Sequence, residues 1–342
     1  MTYNKNRPFK LNYFNRFVFT INIIVLALAY SIYLNKIFSP SEIPYFNFVS
    51  IGYPIIFVFV LLFLVYWILV SWKHFVILFF LSLGTLLPLY LSYPLINIYK
   101  TNNIAKNLTV MTFNPHAFRG DGTEELVNNN LADIILFQEG SKSTHKPLKG
   151  YYSEYYSVLS IYSKYPIIES NRITTDTKEN SGLAAYADID LGFDTIRVIN
   201  IYMEPMYISK DLVKDVINSD STEEIELTSK KIENKLILGM KLHELQLKEI
   251  IPFIQKSPYP VIVGSDLNST PGSYEYEQLS KYLYDSYIDK GKGNATTFHG
   301  FKFPIRIDYL FHSKEFEVIK SKVIRKKFSD HFPVVVDYHL HK

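Results

Sequence analysis

The chain has 342 residues, 48% of them apolar and 16% aromatic, a formal net charge of +3 and no cysteine. That length allows one large domain or two smaller ones. Without cysteine there are no disulfides and no cysteine-ligated metal, which also suits an oxidising compartment, and a near-neutral charge gives no case for a large nucleic-acid-binding surface.

The apolar residues crowd into the first hundred positions. Residues 17–34, 52–72 and 75–99 form three almost uncharged runs, each near or above the ~18–20 residues a helix needs to cross a bilayer. Three in succession argue against a soluble core, and no small-residue cleavage site follows Leu34, as a signal peptide would require. Trp67 and Trp72 lie near one end of the second run, where interfacial aromatics belong. Lys5, Arg7, Lys10 and Arg16 precede the first run, and Lys73 sits in the tight Trp72-Lys73-His74 link. Positive flanks stay cytoplasmic. Three crossings then place everything after Tyr99 outside, although Lys100 and Lys106 pull the other way. Residues 1–100 therefore read as a membrane anchor, and 101–342 as a second domain behind a short linker, 100–107.

From Leu108 the pattern changes to short β-rich segments. Strands are expected at 108–114, 132–139, 152–162, 166–174, 183–191 and 195–202. A polar stretch, 207–256, follows. In its second part Ile232, Leu236, Met240, His243, Leu247, Ile250 and Ile254 fall three or four apart and mark one face of a long helix. Gly239 weakens that helix, and Pro252 is expected to kink or end it. His243 reads as a core-edge histidine rather than a ligand. VIVGSDLN (261–268) is a buried strand running into a turn, 273–283 is helical, and 306–312, 316–324 and 333–340 are strands. Many short strands with few helices suggest two packed sheets with helices outside. No Gly-, Ser- or Pro-rich linker divides 108–342, which reads as one domain.

Polar residues gather at the strand ends: Asn114, Glu139, Tyr202, Asp266, Asn268, Asp308, Asp330 and His331. Asp266 and Asn268, two apart, are expected to project to the same side. A carboxylate beside a carboxamide suits a hard cation and a phosphate oxygen. The plainer reading is an Asx turn. Asp308 lies inside an apolar strand and needs a partner if buried, a part His331 can play. Taken singly, Glu139 is an ordinary surface acid, Asn114 a turn former and Ser329-Asp330-His331 a loop.

Their order along the chain resembles that of the endonuclease/exonuclease/phosphatase superfamily, with its DNase I-like fold. The matching motifs are TFN (112–114), QE (138–139), YSKYPI (162–167), SDLN followed by STP (265–271), RIDYL (306–310) and SDHFPV (329–334). The likeness runs from Leu108 to about Leu340 and is nearest to bacterial members with several spans ahead of the catalytic domain. It implies an α/β fold, a four-layer sandwich of two packed β-sheets flanked by helices, here preceded by three transmembrane helices. It also implies Mg²⁺ or Mn²⁺ and hydrolysis of a phosphoester. By resemblance, Glu139 is the main metal ligand, with Asn114 beside it and Asp330 completing the metal side. Asp266 orients or deprotonates the attacking water, Asn268 holds the phosphate or metal, and His331, oriented by Asp308, contacts the phosphate or moves a proton.

Two positions depart from the family pattern. Many members have His-Leu where this chain has Tyr202-Met203, although some carry Tyr there, and the usual glycine before the Asp is Ser265, whose β-carbon is expected to tighten the approach to the metal. The expected function is a membrane-anchored, metal-dependent phosphoester hydrolase of a bacterial inner membrane, with a periplasmic catalytic domain. Its substrate would be nucleic acid, inositol phosphate or a phospholipid head group. The alternative is a catalytically weak, membrane-tethered binding module for a phosphorylated ligand. Lys320, Lys322, Arg325, Lys326 and Lys327 read as a solvated strand edge, and no protein partner is legible.

Overall fold

The computed structural model describes residues 11–94, 104–118, 132–140, 148–173, 182–206, 212, 216, 219, 221–300 and 304–341. Lys5, Arg7 and Lys10, the stretch 95–103 that closes the expected third span and opens the linker, Thr174 and residues 207–211 lie outside the described residues.

Three apolar segments come first. Helix α1 (Tyr13–Tyr30) continues into a 3-10 turn, Ser31–Lys36; α2 is Tyr45–Val70; the third segment is α3 (Trp72–Ser82), a 3-10 turn (Leu83–Thr85) and α4 (Leu86–Ser92). As continuous segments of 24, 26 and 21 residues, all three are long and apolar enough to cross a membrane. Helix α1 begins before the apolar run because the Asn12 side chain caps it, accepting from the Asn15 N–H. The third segment breaks where Tyr30 and Tyr33 of the first donate their hydroxyls to the Leu81 and Gly84 carbonyls. At one end of the bundle Trp67 stacks on His74 with centroids 5.0 Å apart. At the other end, the segment joining α1 to α2 and the close of α4 meet the rest of the protein: Asn35 bonds to Gly272, and Arg306 to the Leu91 carbonyl.

The remainder is a sandwich of two six-stranded sheets. The first contains β1 (Leu108–Phe113), β2 (Ile134–Phe137), β3 (Tyr152–Tyr156) and β4 (Leu159–Ser163), with β11 (Phe316–Val323) and β12 (Val334–Leu340) from the C-terminal end, in the order β11-β12-β1-β2-β4-β3. The second contains β5 (Ile167–Arg172), β6 (Leu183–Asp190), β7 (Thr195–Tyr202), β8 (Val261–Asp266), β9 (Tyr284–Asp285) and β10 (Asp308–His312), in the order β5-β6-β7-β8-β10-β9. Both sheets are mixed: β1 and β2 are parallel, as are β7 and β8, and the other pairs are antiparallel. The single strand expected over 152–162 is a hairpin, turned by Ser157 at a positive φ of 53°.

Side chains alternate across each strand, and in the inner strands of both sheets the two faces are buried. Val110, Ile134 and Leu136 of the first sheet meet Val198, Ile262 and Leu310 of the second between the sheets. Helix α5 (Thr222–Gln255) covers the outer face of the second sheet, laying Leu247, Ile250 and Ile254 against Ile199, Ile201 and Val263. It runs through Pro252 and ends three residues later. The short helix α6 (Tyr274–Leu279) packs on the same face through Tyr276 and Leu279. The sheets approach closely at Gly264, where a β-carbon would fall 2.4 Å from Leu136 Cδ1. This is the expected arrangement of two packed sheets flanked by helices.

Candidate active site

The site lies where β1, β2, β7 and β8 end and β10 and β12 begin. Strand register assembles it. Antiparallel pairing of β8 with β10 sets Asp308 directly opposite Asp266, and parallel pairing of β7 with β8 sets Tyr202 beside Asp266. Asp308 opens its strand rather than lying inside it, so its side chain stands at the rim.

Asp266 is 1% exposed. Its Oδ2 accepts from Asn114 Nδ2 at 2.9 Å, which ties the two sheets together at the rim. Its Oδ1 accepts the Asn268 N–H at 3.0 Å. That bond is an Asx turn, with Asn268 at a left-handed φ of 48°. The turn and the site are thus one feature, and Asn268 reaches the rim through the turn rather than by strand alternation. Asn268 Nδ2 donates to the Met203 carbonyl at 3.0 Å.

On the other side of Asp266, both Asp308 carboxylate oxygens lie 3.0 Å from His331 Nδ1, and His331 Nε2 is 3.9 Å from Asp266 Oδ2. Phe298 packs edge-on against the imidazole with centroids 4.8 Å apart. Burial, and then the Asp308 charge, push the Asp266 carboxyl up to about 7, with His331 and Asn114 pulling back. Burial alone would lower the His331 imidazolium, but Asp308 and Asp266 outweigh it and hold it at about 10. The result is a buried carboxylate–imidazole–carboxylate line along which a proton can be held or moved.

Glu139 stands at the wetter edge. Its Oε1 accepts from the Tyr202 hydroxyl at 2.8 Å, and its Oε2 is 3.1 Å from His116 Nδ1. The His116 N–H donates to Asn114 Oδ1 at 2.9 Å. Six non-glycine residues among those described have positive φ, and five of them (His116, Ala117, Phe118, Glu139 and Asn268) border this rim. Such conformations cost about 1–3 kcal/mol each and persist only where neighbours hold them, as the Ala117 N–H to Glu139 carbonyl bond at 2.9 Å does here.

Asp330 lies beside His331, which feels its charge, and its buried Oδ1 has no hydrogen-bond partner among the described residues. The expected metal side was Glu139, Asn114 and Asp330. Among the described residues, the acidic and histidine side chains whose donor atoms all fall within 4.8 Å of one another are Asp266, Asp308 and His331. Asp308 and His331 Nδ1 are already bonded to each other, and Asp266 also feels the Glu139 charge. The donor types at this rim, carboxylate and carboxamide oxygens, are those a hard divalent cation takes, and the Asp330 oxygen is left without a partner among the described residues.

Ser265 does not crowd this cluster. It alternates with Gly264 and Asp266, so its side chain lies on the α5 face of β8 with Val263. Several working parts carried no role in the sequence reading, although Gln138 and Ser329 lie within its motifs. Gln138 Nε2 donates to Asn200 Oδ1 at 2.7 Å and to Thr112 Oγ1 at 2.9 Å, pinning the sheets beneath the rim. Ser329 Oγ donates to the Asn114 carbonyl at 2.7 Å. His116, two residues after Asn114 in NPHAF, is legible only as a polar residue close to the end of the strand expected at 108–114.

The sequence matches the endonuclease/exonuclease/phosphatase family over residues 111–331 and a domain of unknown function over residues 15–96. No curated protein sequence matches it. Among solved structures it is similar to an endonuclease/exonuclease/phosphatase from Bacteroides vulgatus, at 16% identity and a TM-score of 0.50, covering 68% of this chain and 99% of that one. It is also similar to a humanized D. rerio TDP2 carrying 14 mutations, at 14% identity and a TM-score of 0.50, covering 68% and 98%. At such identities the likeness is one of fold. The family match takes in the strand ends that carry Asn114, Glu139, Asp266, Asp308 and His331, and on that match the chain belongs to the endonuclease/exonuclease/phosphatase family.

Proposed function

We propose that the chain is a membrane-anchored phosphoester hydrolase that works with a bound divalent cation, Mg²⁺ or Mn²⁺. The observation that carries this reading is the buried line Asp308–His331–Asp266, bonded to Asn114 at a rim where Glu139 brings a further carboxylate. In this reading Asp266 aims the attacking water and takes its proton, and a carboxyl raised toward neutrality suits that task. His331, held by Asp308, meets a phosphate oxygen or hands a proton to the leaving group. Asn268 steadies the phosphate. Glu139, Asn114 and Asp330 hold the cation, and the Tyr202 hydroxyl fixes the Glu139 carboxylate. A cation bound there would offset negative charge building on phosphorus.

The binding-module alternative drew on Ser265 and Tyr202. Ser265 faces away from the rim, and Tyr202 is bonded into it, so neither argues for lost activity. The full chain, purified in detergent, should hydrolyse bis-p-nitrophenyl phosphate or p-nitrophenyl phosphate with Mg²⁺ or Mn²⁺ and stop with EDTA, and Asp266→Ala should be inactive. Equal turnover by both proteins would remove Asp266 from the chemistry. Phosphoester binding without turnover would favour the module.

The bundle also supports a reading of placement. Arg16 and Lys73 belong to the end carrying the Trp67–His74 stack, and the sandwich contacts the opposite end. Positive ends stay inside, which supports a catalytic domain outside the cytoplasm, periplasmic in a bacterium with two membranes. Nucleic acid, inositol phosphate and phospholipid head groups all offer the bond to be cleaved. Contact of Gly272 and Arg306 with the helix ends keeps the rim near the bilayer and favours a membrane-borne phosphoester through local concentration. Alkaline phosphatase fused after Leu340 should be active and green fluorescent protein at that point dark; the reverse pattern would place the site in the cytoplasm.

A further inference from the structure

The hydrolytic line leaves unused a second buried polar cluster, where the helices meet the sandwich. Asn35, Asn47 and Ser50 belong to the apolar segments, yet each is only 2% exposed. Buried amides need partners, and these find theirs in the loop that follows Asn268. Asn35 Nδ2 donates to the Gly272 carbonyl at 2.8 Å. Asn47 Oδ1 accepts the Tyr274 N–H at 2.7 Å, and its Nδ2 donates to Glu275 Oε2 at 3.0 Å. Thr270 Oγ1 donates to Ser50 Oγ at 3.2 Å. Gly272 has a φ of +81°, and a β-carbon there would fall 2.7 Å from Ile32 Cδ1.

Behind this contact the bonds lead back to the rim. Glu275 Oε1 is 2.8 Å from His243 Nδ1, and His243 Nε2 is 2.6 Å from the Glu204 carbonyl. The residue before Glu204 is Met203, whose carbonyl receives the Asn268 side chain. The loop after Asn268 and the segment that grips Asn268 are thus both tied to Asn47. The histidine expected at the edge of the core is fully buried at the centre of this tie.

We propose that Asn47 is a positioning residue for the hydrolytic site: the anchor sets the loop 267–275 and, through Glu275 and His243, the Met203–Glu204 segment that holds Asn268. This inference rests on the hydrolase reading. The anchor is then a working part of the site and not only a tether.

A reciprocal exchange tests it in the full-length protein in detergent. Asn47→Asp keeps an acceptor for the Tyr274 N–H but sets a carboxylate against Glu275. Adding Glu275→Gln exchanges donor and acceptor across the contact while leaving an oxygen for His243. Asn47→Asp should lower kcat for bis-p-nitrophenyl phosphate by about tenfold or more, with KM within about threefold, because small displacements of positioned groups cost rate. The double variant should return kcat to within about threefold of the parent. Asn22→Ala, buried in α1 away from the loop, should leave kcat unchanged. An unchanged kcat in Asn47→Asp, no recovery in the double variant, or an equal loss in Asn22→Ala overturns the proposal. Hydrogen exchange separates this from failure of the hydrolase reading. If the parent turns over no phosphoester, amides of 267–275 should still exchange about tenfold faster in Asn47→Asp and recover in the double variant; unchanged exchange overturns the proposal by itself.

Discussion

Removing the His331 ring is the sharpest test of the buried line. In the described structure both hydrogen bonds to the Asp308 carboxylate come from His331 Nδ1, at 3.0 Å, and Asp308 is 1% exposed. His331→Ala therefore strands a buried carboxylate, at a cost of about 3–5 kcal/mol. In a domain of this size that lowers the melting temperature by roughly 10 °C. Adding Asp308→Asn removes the stranded charge, so the double variant should melt above His331→Ala, recovering about half of the loss. Activity should behave differently. His331→Ala should lower kcat by about 10²–10⁴, the usual worth of a positioned proton-transfer group. Because Asp308 acts through the ring, the double variant should be no slower than His331→Ala alone. The readouts are circular-dichroism melting and initial rates on bis-p-nitrophenyl phosphate with Mn²⁺, both on the full chain in detergent. Losses in kcat that multiply, or a double variant that melts below His331→Ala, would show that Asp308 and His331 do not work as a pair.

Tyr202→Phe removes the hydroxyl 2.8 Å from Glu139 Oε1. Cation affinity measured by titration calorimetry should weaken by about tenfold, and an unchanged affinity would separate Tyr202 from the cation side. Gly264→Ala places a β-carbon 2.4 Å from Leu136 Cδ1, between the sheets. It should cost about 1–3 kcal/mol by overpacking, visible as a lower melting temperature; parent-like melting would mean the sheets can part there without strain. Burial alone would raise the Glu275 carboxyl, but the hydrogen bonds and charge of His243 outweigh it and hold it below the ordinary 4.5. A carboxyl lower in the folded than in the unfolded chain contributes stability above pH 4.5 that is lost as pH falls through the folded value. Between pH 7 and about pH 4 the parent should therefore lose more melting temperature than Glu275→Gln, and equal losses would refute the linkage.

The strands were legible because β-branched apolar runs bounded by turn residues carry their signal locally, as in Val261–Val263 and Val334–Val336. The hairpin at 152–162 was not, because its turn at Ser157-Val158 lacks the Asn-Gly or Asp-Gly signature. The break in the third apolar segment was hidden for a different reason. There the Leu81 and Gly84 carbonyls are met by tyrosines some fifty residues earlier, contacts that spacing within the segment does not encode. The candidate site divides in the same way. Asp266 and Asn268 could be read as a pair from their spacing, and Asp308 was suspected because a buried acid needs a partner. That Asp266 and Asp308 stand opposite each other is a matter of register, which sequence spacing does not encode. His243 looked like one more residue on an apolar helix face. Its partners, Glu275 and Glu204, are set by tertiary packing.

The pairing of β8 with β10 gives those two strands the character of a ruler. Each step along a strand turns a side chain to the opposite face, and two steps move it about 6.8 Å. One residue inserted or deleted between Asp308 and His312, with the rest of the ladder held, would swing the Asp308 carboxylate away from His331; two would leave it on the right face but out of reach. The approach to β10 is held as well: Thr297 Oγ1 accepts the Ile307 and Asp308 N–H groups, and Phe298 bridges to Ile305 and His331. The length of the chain is thus fixed through the ladder residues that set one acid against the other.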